Sequence, residues 1–398
     1  MAPAAEATEA FRAEFRSWLA DHLPADWSAR AGTQERELVE WDRWWMRELH
    51  DGGYLVPHWP QRWGGRGATV QEEIALYEVL GEAGAPWPAT FYCALSHASH
   101  TIMEVGTEHH LRHIPRIVAG EEIWCQAFSE PDAGSDLASL RTVAVRDGDH
   151  YVVNGQKTWS STSPFADWAI LLARTDRDAP KRHGISYFLL DMTAPGVEVR
   201  PIRQLSGKTN LGEIFLDDVR IPAADRLGEE GDGWRIARLT LFSERGPGFV
   251  RFVTALQSSL RALLGAVESA GYHDGILRAE LADLPDELGR TIAEVAVVDG
   301  ILRRSLAGIL RTGQPGPEAS LVKVSLSETL DRLTDLAIRV EGLEAHLEAG
   351  PGRVGFDEGP WLLRHLANFS TLIGAGTNEI QRNVISERVL WLPRERVA

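Results

Sequence analysis

Cysteine is nearly absent: Cys93 and Cys125 are the only two in 398 residues. They stand far apart and show no metal spacing, so they read as reduced thiols of a cytosolic protein. Long apolar runs are missing too; none approaches the ~18 residues that span a bilayer. Met1 to Ala20 lacks the basic start and apolar stretch of a secretory signal, so none is expected. Positive charge is in deficit, with 41 Lys and Arg against 57 Asp and Glu, a net of -16. That balance argues against nucleic acid and against a basic membrane-binding face. It leaves room for a nucleotide-like ligand, whose phosphates need only a few local Arg or Lys. Two further absences concern fold. No Gly-x-Gly-x-x-Gly follows a strand, and continuous βαβ alternation is missing, so nicotinamide binding on a Rossmann fold is not expected. There is no internal repeat and no low-complexity tail.

What is present is a globular composition, 44% hydrophobic and 25% charged, long enough for two or three packed units. Fourteen Trp is high and points to deep pockets or interfaces. The first ~120 residues read as helices by their period. Phe11, Phe15, Leu19 and Leu23 form one apolar stripe, and Val70 to Leu80 and Ile102 to Val118 repeat similarly. Val56 to Gly67, rich in Pro, Gly and Trp, must break the helical run. The period then changes. Thr142 to Val145 and Tyr151 to Val153 alternate around a turn at Asp147-Gly148, and Asn154-Gly155 is expected to form a second turn. Ala169 to Ala173, Ile185 to Leu190, Val197 to Ile202 and Ile214 to Val219 are further strand runs. After Gly231-Asp232-Gly233 the helical period returns. Leu326, Leu330, Leu333, Ala337 and Val340 form a heptad-like seam suited to a bundle. Thr312 to Pro317 and Pro351 to Gly359 read as helix-to-helix loops. The expected order is an α+β multidomain chain: an N-terminal helical domain over 1–122, a middle β-barrel or sandwich over 123–228 and a C-terminal four-helix bundle over 229–398.

Two loops concentrate unusual chemistry. Ala127-Phe128-Ser129-Glu130-Pro131-Asp132-Ala133-Gly134-Ser135-Asp136 packs two hydroxyls, two small residues and three carboxylates into one turn-prone stretch. Asn154-Gly155-Gln156-Lys157-Thr158-Trp159-Ser160-Ser161 follows, with an exposed-looking Trp beside hydroxyls. Together they suggest a shelf for a flat ligand with a polar edge. Taken alone, each is also compatible with a plain polar turn and a core Trp.

These two runs, with Phe215-Leu216-Asp217-Asp218-Val219-Arg220-Ile221-Pro222 and Gly376-Thr377-Asn378-Glu379-Ile380-Gln381-Arg382, resemble the acyl-CoA dehydrogenase family in order and spacing. The resemblance covers essentially the whole chain and implies that family's fold. It implies an FAD cofactor and an acyl-CoA substrate. Phe128, Ser129, Gly134 and Ser135 would meet the flavin ring or the pantetheine of the substrate, Trp159 and Ser161 would cover the flavin, and Thr377 and Glu379 would meet its phosphate or ribityl side. Small residues permit close backbone approach, and hydroxyl and N–H groups satisfy a ring's polar edge.

The family reaction removes the α-proton with a carboxylate and sends the β-hydrogen to flavin as hydride. In most members that Glu lies just before the C-terminal Gly-Thr, where this chain has Ala375. In isovaleryl- and long-chain-type members it lies in a Glu-Arg pair on the first helix of the C-terminal domain. Glu244-Arg245 occupies that place, so the resemblance implies Glu244 as base and Arg245 as its electrostatic support. The Ala375 backbone N–H is left to hold the thioester oxygen. Gly246-Pro247-Gly248 reads either as a kink that opens the acyl cavity or as a plain loop end. Trp87, Phe91 and Tyr92 read equally as acyl-tail lining or as core.

One half-site departs from the family. The Arg-x-x-Phe-Gly segment given to a neighbour's pyrophosphate is replaced by Gly275-Ile276-Leu277-Arg278-Ala279, and the adenine-side Gln turn by Arg339-Val340-Glu341-Gly342-Leu343. Glu341 and Glu344 would repel a pyrophosphate. The resemblance therefore implies an α2β2 heterotetramer with a paralogous partner subunit, as in family members that act on steroid side-chain thioesters; a homo-oligomer is the alternative. An electron-transfer flavoprotein or similar acceptor is implied as the redox partner. An acyl-CoA oxidase or flavin monooxygenase on the same fold, or a non-catalytic subunit, are the competing readings. His97, His100, His109, His110 and His113 lie close in sequence but lack a complementary ligand set and read as helix-face residues, not a metal site.

Overall fold

The computed structural model describes residues 2–31, 34–243, 246–269, 283–342, 345 and 359–394. Its helices in chain order are α1 (Ala2–His22), α2 (Trp27–Arg30), α3 (Glu35–Asp51), α4 (Val70–Glu82), α5 (Ser99–Val105), α6 (Glu108–Leu111), α7 (His113–Val118), α8 (Gly233–Ser243), α9 (Phe249–Ser269), α10 (Leu284–Thr312), α11 (Ala319–Glu341), α12 (Trp361–Ile373) and α13 (Asn378–Val384). The strands are β1 (Trp124–Ala127), β2 (Val143–Asp147), β3 (His150–Ser161), β4 (Trp168–Arg174), β5 (Ile185–Asp191), β6 (Val197–Ile202), β7 (Leu211–Pro222) and β8 (Arg226–Leu227). The chain divides into two compact units, Met1–Thr33 with Thr69–Pro86 and Arg245–Ala398, and Gln34–Ala68 with Trp87–Glu244.

The first unit is helical. Phe11, Phe15 and Leu19 of α1 are buried, as their spacing demands. Arg12 and Arg16 of α1 pair with Glu78 and Glu82 of α4. Thr69 caps α4: its hydroxyl accepts from Glu72 N, and the Glu72 carboxylate returns to Thr69 N at 2.7 Å. Such a box is worth about 1 kcal/mol. Gly81 lets α4 lie against α9, since a Cβ there would sit 2.1 Å from Thr254 Oγ1. The bundle core joins Leu256 and Leu263 of α9, Val298 and Leu302 of α10, and Leu330, Leu333, Ala337 and Val340 of α11. Those last four belong to the expected seam, and its fifth residue, Leu326, is partly buried against the same core. α10 stops where Gly313, at φ 74, donates to Ile309 O, which makes 312–317 the expected interhelical connection.

The second unit is built on one sheet in the order β6-β7-β3-β2-β4-β5-β8, with β1 pairing parallel to β4. β5 is buried from Ile185 through Leu190, and β4 from Ala169 through Ala173, so their near-continuous apolar runs are those of strands covered on both faces. All six strands expected from periodicity are present. Asn154-Gly155, expected as a turn, instead lies inside β3. The β3–β7 register shifts between Val153 and Gly155, which makes a bulge. Asn154 Nδ2 donates to the Asp218 carboxylate at 2.9 Å, and Asp218 N donates back to Asn154 Oδ1 at 2.9 Å, which supports Asp218 at φ 49. Gly155 is required there because a Cβ would stand 2.8 Å from Thr142 Cα. The Ile102–Val118 pattern is likewise not one helix but parts of α5, α6 and α7. α5 ends at Gly106, where a Cβ would meet Ile102 O at 2.4 Å. Before it, Cys93–Ala98 winds as a π-helix, a form often found near functional sites.

Candidate active site

Ser129–Asp136 leaves the sheet directly after β1 and is fastened from below. Thr158 N donates to Ser129 O at 2.9 Å, and Glu130 and Ala133 exchange backbone bonds that close a tight turn. The Glu130 carboxylate, 7% exposed, accepts from Arg141 N at 2.6 Å and Thr142 N at 2.9 Å. Lys157 is fully buried on β3, and its ammonium donates to Glu130 Oε1 at 2.8 Å and Phe128 O at 3.1 Å. Burial alone would raise the Glu130 carboxyl, but Lys157 and the two backbone N–H groups hold it below its ordinary range. Burial lowers the Lys157 ammonium to about 8. Asp136 is fixed at the loop's far end by Ser139 and by Lys181 at 2.6 Å. Two of the loop's three carboxylates are therefore scaffolding.

The upper face is different. Gly134 and Ser135 are exposed, and nothing lies within 4 Å of a Cβ built on Gly134. Phe128 is buried, edge to face with Tyr187 at 5.7 Å. On β3 the register shifts again between Lys157 and Ser160. The shift turns Trp159 into the left-handed region at φ 59 and leaves it 64% exposed. A bulky residue held there costs energy, and such strain gathers at functional sites. Ser160 is tied down by Gln126 O at 2.8 Å, while Ser161 beside it is exposed. Gln126 Nε2, on the strand leading into the loop, is buried with no hydrogen-bond partner among the described residues. An orphaned donor, a small-residue loop and a projecting indole suit a flat ring with a polar edge. Sequence reasoning missed Gln126, because a single Gln on a strand carries no motif.

Beside this loop, Arg141, Arg174, Arg177 and Lys181 line a depression of about 560 Å³. Arg174 is spent on backbone, donating to Ala138 O at 2.8 Å and to Leu140 O and Lys181 O at 3.2 Å. Arg177 makes no ion pair among the described residues. The depression suits a phosphate-bearing ligand. Its residues are spread over three segments, so the sequence did not mark them.

Ala375, Thr377 and Glu379 belong to the other unit. Ala375 is exposed at φ 53 and Gly376 follows at φ 81. Buried Gln381 donates to Ala375 O at 2.9 Å and fixes this turn. Thr377 is the cap of α13, accepting from Ile380 N at 3.3 Å. Glu379 is exposed, and its carboxyl is held below the ordinary range by backbone and Thr377 hydrogen bonds. Glu244 and Arg245 lie outside the described residues, as do Gly275–Ala279, Leu343, Glu344 and 351–358 of the second loop. α8 ends at Ser243, and Gly246-Pro247-Gly248 forms a turn before α9, with Val250 N bonding Pro247 O; the run is a helix break. Arg339 pairs with Glu287 and with Asp335 at 3.2 Å.

The histidines are more buried than a helix face requires. His97, His110 and His113 are at most 4% exposed. His113 Nδ1 lies 2.9 Å from Glu122, and His109 Nε2 2.7 Å from Asp225. Among the described residues no group of three or more His, Cys, Asp or Glu is placed to share a metal ion. No helix of the described residues is long and apolar enough to cross a membrane.

Comparison with known proteins accounts for this layout. The acyl-CoA dehydrogenase N-terminal, middle and C-terminal domain profiles match residues 5–121, 125–219 and 231–390. The acyl-CoA dehydrogenase IpdE1 of Mycolicibacterium smegmatis is 37% identical over 401 residues, covering 97% of this chain and 98% of that one. A structure of the ChsE4-ChsE5 complex from Mycobacterium tuberculosis superposes with a TM-score of 0.78 at 31% identity, over 98% of each chain. The Tcur3481-Tcur3483 steroid ACAD superposes with a TM-score of 0.80 at 27% identity, again over 98% of each. Three domain profiles in order, and a relative matched over nearly its full length, make this chain a member of the acyl-CoA dehydrogenase family and an enzyme of that class.

Proposed function

We propose that this chain is the catalytic subunit of a heteromeric, FAD-dependent dehydrogenase for a bulky acyl-CoA thioester, of the steroid side-chain kind. The observation that carries the flavin is the projecting, strained Trp159 beside a small-residue loop whose buried Glu130 is consumed by Lys157. Phe128, Ser129, Gly134, Ser135, Trp159 and Ser161 would hold the ring, with Gln126 Nε2 as a further donor, and Thr377 and Glu379 would meet the phosphate or ribityl side. When bound, the flavin supplies a hydride acceptor for the substrate's β-hydrogen. Glu244 takes the α-proton, Arg245 tunes it, and the Ala375 backbone N–H donates to the thioester oxygen as negative charge grows there. Ser135 meets the pantetheine. The basic depression takes the phosphate-bearing end of CoA, led by Arg177, with Arg141 and Lys181 beside it in exposed pairs with Asp132 and Asp136. An electron-transfer flavoprotein or similar carrier reoxidises the enzyme.

The heteromer rests on the departed half-site. Arg339 is occupied by Glu287 and Asp335, so it is poorly placed to serve a neighbour's nucleotide. A paralogous partner supplies that half. The relatives support this reading: one solved neighbour is titled a ChsE4-ChsE5 complex and another a steroid ACAD.

The test is expression of the chain alone and with its paralogous partner, followed by flavin content per chain and turnover with an artificial electron acceptor. Flavin and activity should need both chains, and Glu244→Gln should lower kcat by roughly 10²- to 10⁴-fold with flavin retained. A fully loaded, active homomer would exclude the heteromer, and unchanged turnover in Glu244→Gln would exclude the base assignment.

A further inference from the structure

α8 leads to Glu244, and the sheet unit holds that helix at two points. Its first residue, Gly233, is pressed onto β5: a Cβ there would stand 2.6 Å from the Ser186 carbonyl carbon. Two turns later Thr240 joins a chain of hydroxyls. Thr240 Oγ1 lies 2.8 Å from Thr101 Oγ1 and 3.2 Å from Tyr187 OH. Thr101 Oγ1 donates to His97 O, inside the π-helix, at 2.8 Å. All three hydroxyl residues are 0% exposed.

The proton order follows from donor counting. A hydroxyl has one proton, and that of Thr101 goes to His97 O. Thr240 then donates to Thr101, and Tyr187 donates to Thr240. Ile236 O, 3.1 Å from Thr240 Oγ1 and one turn back on the same helix, competes with Thr101 for that one proton. Chains of this kind strengthen cooperatively where the dielectric is low. The same Tyr187 ring is the one against which Phe128 packs, at the entrance to the ring-binding loop.

Resting on the assignment of Glu244 as base, we infer that Thr240 and Tyr187 are positioning residues that set the last turn of α8 against the floor of the flavin loop. Thr240 lies three residues before Ser243, the end of α8, so rotation or sliding of the helix at Thr240 carries into the end from which the chain runs on to Glu244. The sheet that positions Phe128 thereby also positions the base. Packing alone would hold α8 near the sheet; the hydroxyl chain fixes its rotation about its own axis.

Thr240→Val keeps the shape and removes the hydroxyl, and Tyr187→Phe removes the donor from the other end. In the complex with its partner, each should lower kcat by roughly 10- to 100-fold, as a misplacement of about an ångström does, with KM for the acyl-CoA and flavin content little changed. Thr240→Ser should restore kcat. Amide hydrogen exchange in the peptide spanning Ile236–Ser243 should quicken in Thr240→Val and return to normal in Thr240→Ser. Wild-type kcat and exchange in Thr240→Val would overturn the inference. So would a loss that Thr240→Ser fails to restore or that comes with lost flavin, because both mark a general structural role. Glu244→Gln separates the two levels: if it keeps its activity, the base assignment itself fails; if it is inactive while Thr240→Val is normal, only the positioning role fails.

Discussion

Two signature turns, one in each compact unit, are each clamped by a buried lysine. Lys157, 0% exposed, reaches Phe128 O at 3.1 Å and Glu130 at 2.8 Å beneath the Ser129–Asp136 loop. Lys323, 8% exposed on α11, reaches Leu372 O at 3.1 Å and Asn378 Oδ1 at 2.6 Å beneath the Ala375–Glu379 turn. A non-glycine residue at positive φ goes with each: Trp159 at 59, on the strand that carries Lys157, and Ala375 at 53, in the C-terminal turn itself. The difference lies in what the ammonium meets. Beneath the sheet loop it hydrogen-bonds a carboxylate that two backbone N–H groups also bind; beneath the C-terminal turn it hydrogen-bonds a carbonyl and a side-chain amide, with the exposed Glu379 carboxylate near enough to feel its charge. The first clamp is an ion pair whose halves each need the other, and the second is a set of charge-assisted hydrogen bonds.

That contrast predicts unequal costs. Lys157→Met leaves the Glu130 carboxylate buried beside an apolar chain and should destabilise the protein by about 3–5 kcal/mol. Lys323→Met should cost less, about 1–3 kcal/mol. Urea titration of both variants, read by near-ultraviolet circular dichroism, measures the pair; equal losses would erase the distinction.

Buried glutamates sharpen it further. Glu73 on α4 is 8% exposed, nearly the same as Glu130 at 7%, yet burial pushes its carboxyl up from 4.5 to about 7. A carboxyl raised in the folded state contributes stability below its ordinary value and loses it as pH climbs through the folded value. Wild-type stability should therefore fall between pH 4.5 and about 7 relative to Glu73→Gln, by about 3 kcal/mol. Glu130 has the opposite sign: its contribution is present above 4.5 and is lost as pH falls through its depressed folded value. Unfolding midpoints of wild type, Glu73→Gln and Glu130→Gln across pH 3–8 should show the two slopes on opposite sides; parallel curves would contradict the assignment.

The smallest effects concern backbone strain. Ala375→Gly removes a Cβ from the left-handed region and should stabilise by about 0.5–1 kcal/mol, after the entropy that glycine adds to the unfolded chain. Gly376→Ala should do the reverse, because its Cβ would stand 2.6 Å from Gln381 Nε2 at φ 81. Thermal midpoints of the two variants should move in opposite directions.

Much of this was legible from residue order, for reasons that differ between regions. The stripes of α1, α4 and α11 and the six strands around β3 show through local period alone. The sheet loop stood out because its motif is short and contiguous, whereas the Lys157–Glu130 clamp beneath it was not read, since nothing in the two motifs pairs these residues. Asn154-Gly155 misled because the same dipeptide serves a hairpin turn and a bulge, and only the facing Asp218 decides which. Ile102–Val118 misled because its apolar spacing survives two breaks whose cause is close packing at Gly106 and the Pro115 ring of α7. The basic depression and the Thr101–Thr240–Tyr187 chain were invisible, since each joins segments that only the fold brings together, and Gln126 was invisible because a lone Gln carries no motif.

Trp159 has one more consequence, an optical one. Among the described tryptophans only Trp159 and Trp391 stand well out of the protein, 64% and 83% exposed. An indole so placed emits at the red edge of the spectrum and is quenched by any aromatic acceptor laid against it. Removing Trp391 by Trp391→Phe would leave a protein whose red-edge emission comes from Trp159, so the arrival of a ring on the loop could be followed in the protein's own light, without a label.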